Sequence, residues 1–182
     1  MNQSQTLPAN GFTLAELLII VALIVVLAAI ILPNLLRSQI SANEASAVGS
    51  LASINRAEVS YQTANPAIGF ASSLEKLGPE GNDKDCRAPS PAHACLIERA
   101  LVQATSPAQA RSGYWFRVSP GTRNAQGAVA AYVAGAAAAA YNQTGVRDFC
   151  SQEDGVVRFR IPGGNSRPAT IAAECTAMAI LQ

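Results

Sequence analysis

Charge is scarce in this chain of 182 residues: Lys, Arg, Asp and Glu together make up 14%, beside one histidine and one tryptophan. The first 36 residues hold a single charged side chain, Glu16, and no Lys or Arg. With a formal net charge of +1 and basic residues scattered singly or in near pairs such as Arg158 and Arg160, the chain lacks the electrostatic footprint of a nucleic-acid binder. A hydrophobic share of 49% excludes a disordered, low-hydrophobicity chain. The length suits one ordinary domain with something appended to it and excludes a multidomain enzyme. Catalytic motifs are missing as well: there is no HExxH, no glycine-rich phosphate loop and no glycine-framed serine, so neither enzymatic activity nor a cofactor is expected. The lone His93 sits near Cys95 in a loop and reads as a solvated side chain rather than as the base of a nucleophile. No CxxC pair occurs, and successive cysteines are 9, 55 and 25 residues apart, which argues against a zinc site.

Apolar residues, by contrast, are concentrated. Leu17 to Leu32 is a run of 16 consecutive apolar side chains, and the apolar zone from Phe12 to Leu36 covers the about 20 residues that a bilayer core demands. A cleaved secretory signal is the rival reading. It calls for a basic start, a shorter apolar stretch of about 7 to 15 residues and a small-residue cleavage site at its end. Here residues 1–10 are uncharged, and the nearest A-x-A sequence, Ala45-Ser46-Ala47, lies well beyond the run. A plain signal anchor holding an unrelated binding module is a further alternative, but it leaves Glu16 unexplained. A carboxylate inside a transmembrane helix is disfavoured by about 2.5 to 3.5 kcal/mol and tends to mark function. Cleavage between Gly11 and Phe12 would create an amine four residues from Glu16, able to pair with that carboxylate in a neighbouring copy.

Gly11 followed by Phe12-Thr13-Leu14-Ala15-Glu16, the apolar run, and then Pro33-Asn34-Leu35 resembles the N-terminus of type IV prepilins and type II secretion pseudopilins. The resemblance implies a leader of residues 1–11, removed after Gly11 by a membrane prepilin peptidase that also methylates the new terminal Phe12. It further implies a role in assembly for Glu16 and Pro33. The implied fold is α+β: a long N-terminal helix, transmembrane in its first half, packed on a small antiparallel sheet. Positive-inside bias taken alone would put Arg37 in the cytoplasm, opposite to the family's topology. The implied partners are further copies of the same chain, the inner membrane before assembly, the peptidase and a pilus assembly platform. The implied location is the inner membrane and then an extracellular filament, or a periplasmic pseudopilus if the chain is a pseudopilin.

After Pro33, which should kink or loosen the helix, no proline occurs until Pro66. Ile40, Ala47, Leu51, Ile54 and Tyr61 fall on one helical face, with Arg37, Asn43, Ser50 and Arg56 away from it. The expected segments are thus 12–36, in the membrane or filament core, and 37–65, an amphipathic continuation. Gly49 weakens the second segment locally. Asn65-Pro66 and Gly69 end the helix, and Ser72 with Glu75 has the capping-box pattern for a short second helix closed by Gly78-Pro79. A short amphipathic helix is expected over 94–104, within a connecting region of 66–113.

Residues 114–182 should form the sheet and a C-terminal segment. Strands are expected at 114–118, 129–133, 147–150 and 156–160, four in all, with a turn at Asp154-Gly155. Ser112-Gly113-Tyr114, the run Thr144 to Phe149 and Asp154 to Arg158 resemble the sheet of one group of bacterial major pilins. The run Ala136 to Ala140 favours helix by propensity but lies where a strand edge or loop is expected. Four cysteines allow three pairings, and on the exported side disulfides are the default. The pairing taken is Cys86 with Cys95, closing a short loop, and Cys150 with Cys175, pinning the C-terminal segment as a C-terminal disulfide does in many type IV pilins. Asp148, Glu153 and Asp154 resemble the Ca²⁺ loop of major secretion pseudopilins but lack an evident ligand set. They read as a solvated turn.

Overall fold

The structure, a computed structural model, describes residues 12–81, 86 and 88–181. The chain divides into two compact units, residues 1–38 and 39–182. Helix α1, Leu14–Ala64, contributes to both. Its first part is apolar all round: Leu14, Leu17, Leu18, Ile19, Val25 and Val26 are all exposed. By length and composition this helix can cross a membrane. Pro33 lies within α1, which runs through it although proline supplies no N–H to the ladder.

Residues 39–64 of α1 are amphipathic. Ala47, Leu51, Ile54 and Tyr61 are buried, as the spacing predicts, and Ile40 is half-buried. Ser50, expected off the face, is buried too and donates its hydroxyl to the Ser46 carbonyl at 2.9 Å. Gly49 does not interrupt the helix. The stop at Ala64 is local: the amides of Ile68 and Gly69 both donate to the Asn65 carbonyl at 3.0 Å, and the Asn65 side-chain amide donates to the Tyr61 carbonyl.

The connecting region departs from expectation in two places. Helix α2, Leu74–Leu77, is preceded by Ser73 at its N-cap, with no side-chain capping bond. The Ser72–Glu75 capping box therefore does not form, and burial of Leu74 and Leu77 holds the turn instead. Helix α3 is only Arg99–Gln103. Residues 94–97 stay out of it because the amides of Ala94, Cys95, Leu96 and Ile97 donate to the carbonyls of Lys76, Gly78 and Leu77.

The sheet is antiparallel, in sequential order β1 (Tyr114–Pro120), β2 (Tyr132–Ala138), β3 (Asp148–Gln152), β4 (Arg158–Arg160), β5 (Ala179–Ile180). Four strands were expected. The fifth is the C-terminal pair Ala179–Ile180, too short to carry an alternation signal and fixed by pairing with Arg158 and Phe159. The second strand is shifted to 132–138. The alanines at 136–138 are thereby strand, in the sheet interior, because burial overrides their helix propensity. On the inner face Ala134, Ala136 and Ala138 lie opposite Val118, Phe116 and Tyr114. These small and large side chains form one core with Leu51, Ile54 and Tyr61 of α1, Leu74, Leu77 and Leu101. A smaller cluster of Val133, Cys150, Ala169, Cys175 and Met178 includes residues of helix α4, Ala172–Thr176, and of the segments beside it.

Candidate functional site

At the N-terminal end, residues 1–11, which include the expected leader and Gly11, lie outside the described residues. Phe12 is 73% exposed. Thr13 and Glu16 form a reciprocal cap that the sequence analysis did not single out. The Glu16 amide donates to the Thr13 hydroxyl at 3.2 Å, while Glu16 Oε2 accepts from the Thr13 amide at 3.0 Å and hydroxyl at 2.7 Å. The T-x-x-E spacing of a capping box was the available signal. The carboxylate thus starts the helix and has two donors inside its own chain, which offsets part of the cost of placing it in an apolar setting. Beyond it no apolar side chain from Leu17 to Leu27 is buried, so this stretch needs lipid or another chain to cover it.

In the head, three polar residues of α1 reach the sheet and its loops. Glu44 is buried, and its carboxylate accepts from the amides of Val146 and Arg147 at 3.0 and 3.1 Å and from Arg147 Nε at 2.8 Å. Arg147 Nη2 lies 2.6 Å from Glu44 Oε2, and its guanidinium sits 5.5 and 5.4 Å from the ring centres of Phe149 and Phe159. Asn43, placed off the apolar face by its spacing, donates to the Thr144 carbonyl at 2.9 Å. Asn55 Oδ1 accepts from the hydroxyls of Tyr132 and Ser151 at 3.0 and 2.8 Å. These contacts bolt the β2–β3 connection and two strands to α1.

The three acidic residues near the turn do not share one environment: Glu153 and Asp154 are exposed. Asp148 is fully buried rather than solvated. It accepts from the Ser166 hydroxyl, from the Arg167 amide at 3.2 Å and from Arg160 Nη2 at 3.3 Å. Arg160 also reaches Glu174 at 2.5 Å, and Glu174 in turn holds Arg167 at 2.9 Å. Burial pushes the Asp148 carboxyl above the usual aspartate value, against the pull of these donors. Asp154 does lie in a turn, where hydrogen bonds from Arg158 hold its carboxyl below the usual value. Among the described residues no group of three or more His, Cys, Asp and Glu is placed to hold a metal ion.

Cys86 stands paired with Cys95, and Cys150 with Cys175, with Cα separations of 5.9 and 5.8 Å. The second pair is fully buried and ties β3 to α4. His93 is half-buried rather than solvated: its Nδ1 is buried without a hydrogen-bond partner, and its backbone amide donates to the Ser90 carbonyl.

No protein-family model matches the chain, and no solved structure matches it. Among curated proteins, the type IV wide pilus major component PilA4 of Thermus thermophilus is 42% identical over 57 residues, which is 31% of this chain and 44% of that protein. The chain therefore spans less than half the length of the curated relative it matches. In that stretch of sequence, and in a long apolar N-terminal helix whose second part packs on a small antiparallel sheet, the chain is similar to the type IV pilins.

Proposed function

We propose that the chain is a structural subunit that polymerises into a type IV pilus after loss of residues 1–11 and methylation of Phe12. The observation that carries the reading is the first part of α1. It is a helix apolar on every side, bearing one carboxylate, Glu16, four residues from the amine that cleavage would create. Copies of such a helix satisfy each other's apolar surface once they leave the membrane, and a Glu16 carboxylate beside a neighbour's Phe12 amine sets the stagger between them. In this reading residues 12–36 form the filament core. Residues 37–65 carry the head, 66–113 connect, and 114–182 form the sheet with its disulfide-bound end. The relative's description as a pilus component supports self-assembly. The subunit waits in the inner membrane, meets the prepilin peptidase and the assembly platform there, and ends outside the cell.

The test is intact-mass and N-terminal peptide analysis of filaments sheared from cells that express the chain. The expected product begins at methylated Phe12. Filament protein that retains residues 1–11, or a mature protein found only in the inner membrane, would overturn the proposal.

A further inference from the structure

Glu58 has no part in the assembly proposed above, yet it is 0% exposed. It lies on the face of α1 that also buries Ile54, Ala57 and Tyr61. Its Oε2 accepts from the Ala71 amide at 2.7 Å, and its Oε1 is buried with no hydrogen-bond partner. The titratable groups around it are tyrosines: Tyr61 on α1 itself and Tyr132 on β2. Both hydroxyl protons are committed elsewhere, that of Tyr61 to the Pro91 carbonyl and that of Tyr132 to Asn55 Oδ1. Glu153 and Asp154, beyond β3, add only negative charge at Tyr132. Among the described residues no cation pairs with Glu58.

An ionised carboxylate here would have one donor for two oxygens, in a setting where unpaired charge is strongly disfavoured. The neutral acid needs far less solvation, and burial raises the carboxyl to about 8. The one donor comes from the segment just past α1, whose Ile68 and Gly69 amides also donate to the Asn65 carbonyl and whose Phe70 and Ala71 are buried in the core. Residues 68–71 hang from Val129, whose amide donates to the Ile68 carbonyl and whose carbonyl accepts from the Phe70 amide, while the Phe70 ring lies 4.9 Å from that of Tyr132. Beyond the Asn65 bonds that end the helix, Glu58 is the α1 side chain that holds this segment, through the Ala71 amide.

We infer that Glu58 is a proton-operated latch: as a neutral acid it fastens the Ile68–Ala71 segment to α1, and on giving its proton to water it lets that segment open. The sign follows from linkage. Opened to solvent, the carboxyl titrates in the ordinary range near 4.5, and closed it titrates at about 8. The latch is therefore tightest below the lower value, weakens as pH rises between the two, and is fully weakened above the higher. Both tyrosines are pushed above their ordinary value by burial, so they stay neutral across this window and the step belongs to Glu58.

The full chain in detergent micelles, labelled with ¹³C at glutamate Cδ, tests this. The signal that disappears in Glu58→Gln is expected to titrate near pH 8 in the wild-type chain. In the same sample the opening constant of the Ala71 amide, read from hydrogen exchange, should rise at least about tenfold between pH 5 and pH 8 and then level off. In Glu58→Gln it should stay flat. A Glu58 signal titrating in the ordinary carboxylate range would overturn the inference, and so would an Ala71 amide whose opening does not change with pH in the wild-type chain. Both wild-type readings stand even if the glutamine variant fails to fold.

Discussion

Glu44 and Arg147, 103 residues apart, meet through a side-chain ion pair of 2.6 Å while Glu44 also accepts the Arg147 backbone amide. One carboxylate thus fixes both the position of a loop and the charge it carries. Glu44→Ala should leave the guanidinium and two amides without their acceptor. Because about a third of the Arg147 side chain is exposed, the loss falls somewhat below that of a fully buried pair, about 2 to 4 kcal/mol. Urea unfolding of the purified chain measures it, and Glu44→Gln should lose less because it still accepts hydrogen bonds.

Glu16→Ala should abolish or strongly reduce filaments while the subunit still inserts, is cleaved and folds. Removing the carboxylate eases insertion by about 2.5 to 3.5 kcal/mol but, in the proposed filament, would leave a neighbour's Phe12 amine without its partner. Membrane and sheared-filament fractions from the same cells, probed for the head, separate the two effects. A normal filament yield would make Glu16 an incidental polar residue.

Thr13→Val removes the hydroxyl that both donates to and accepts from Glu16. The helix start should weaken by about 1 kcal/mol, and the carboxylate, left with the residue 13 amide as its one donor, should make insertion less favourable. The membrane-inserted share should fall for Thr13→Val and rise for Glu16→Ala; equal insertion of the two variants would contradict the cap.

Loss of the Cys150–Cys175 bond should destabilise the head by about 2 to 5 kcal/mol. A mild reductant should reach Cys86–Cys95 first, since those residues are half-buried whereas Cys150 and Cys175 are not exposed at all. Non-reducing peptide mapping after graded reduction shows the order, and simultaneous opening of both bonds would contradict it.

Gly69→Ala should cost about 1 to 3 kcal/mol, measured by thermal unfolding. Its φ of +85° is left-handed, and an added Cβ would run into the backbone of Val129.

The apolar parts of this architecture could be read from the residues. Ala47, Leu51, Ile54 and Tyr61 repeat at helical spacing, Asn65-Pro66 stops the helix, and Asp154-Gly155 makes a turn, because each depends on neighbours close in sequence. Glu44, Asn55 and Glu58 could not be read that way. A polar residue beside an apolar stripe looks solvated until its partner is known, and these partners lie 13 to 103 residues away. Asp148 reads as solvated for the same reason: Ser166 and Arg167, which satisfy it, follow it by 18 and 19 residues. Thr13 differs, since its T-x-x-E capping box with Glu16 is local and legible in the residues.

The order of the strands also sets an order in time. Under the proposed export, a chain anchored by its N-terminal helix would present β1 to β4 before β5, and the sheet would be complete only once Ala179 and Ile180 had crossed. Cys150 would spend that interval without its partner, which lies 25 residues behind it. Cys86 and Cys95, nine residues apart, have by then both emerged and can close first. Early closure takes the two wrong partners out of reach, so the loop bond protects the fidelity of the bond that forms last.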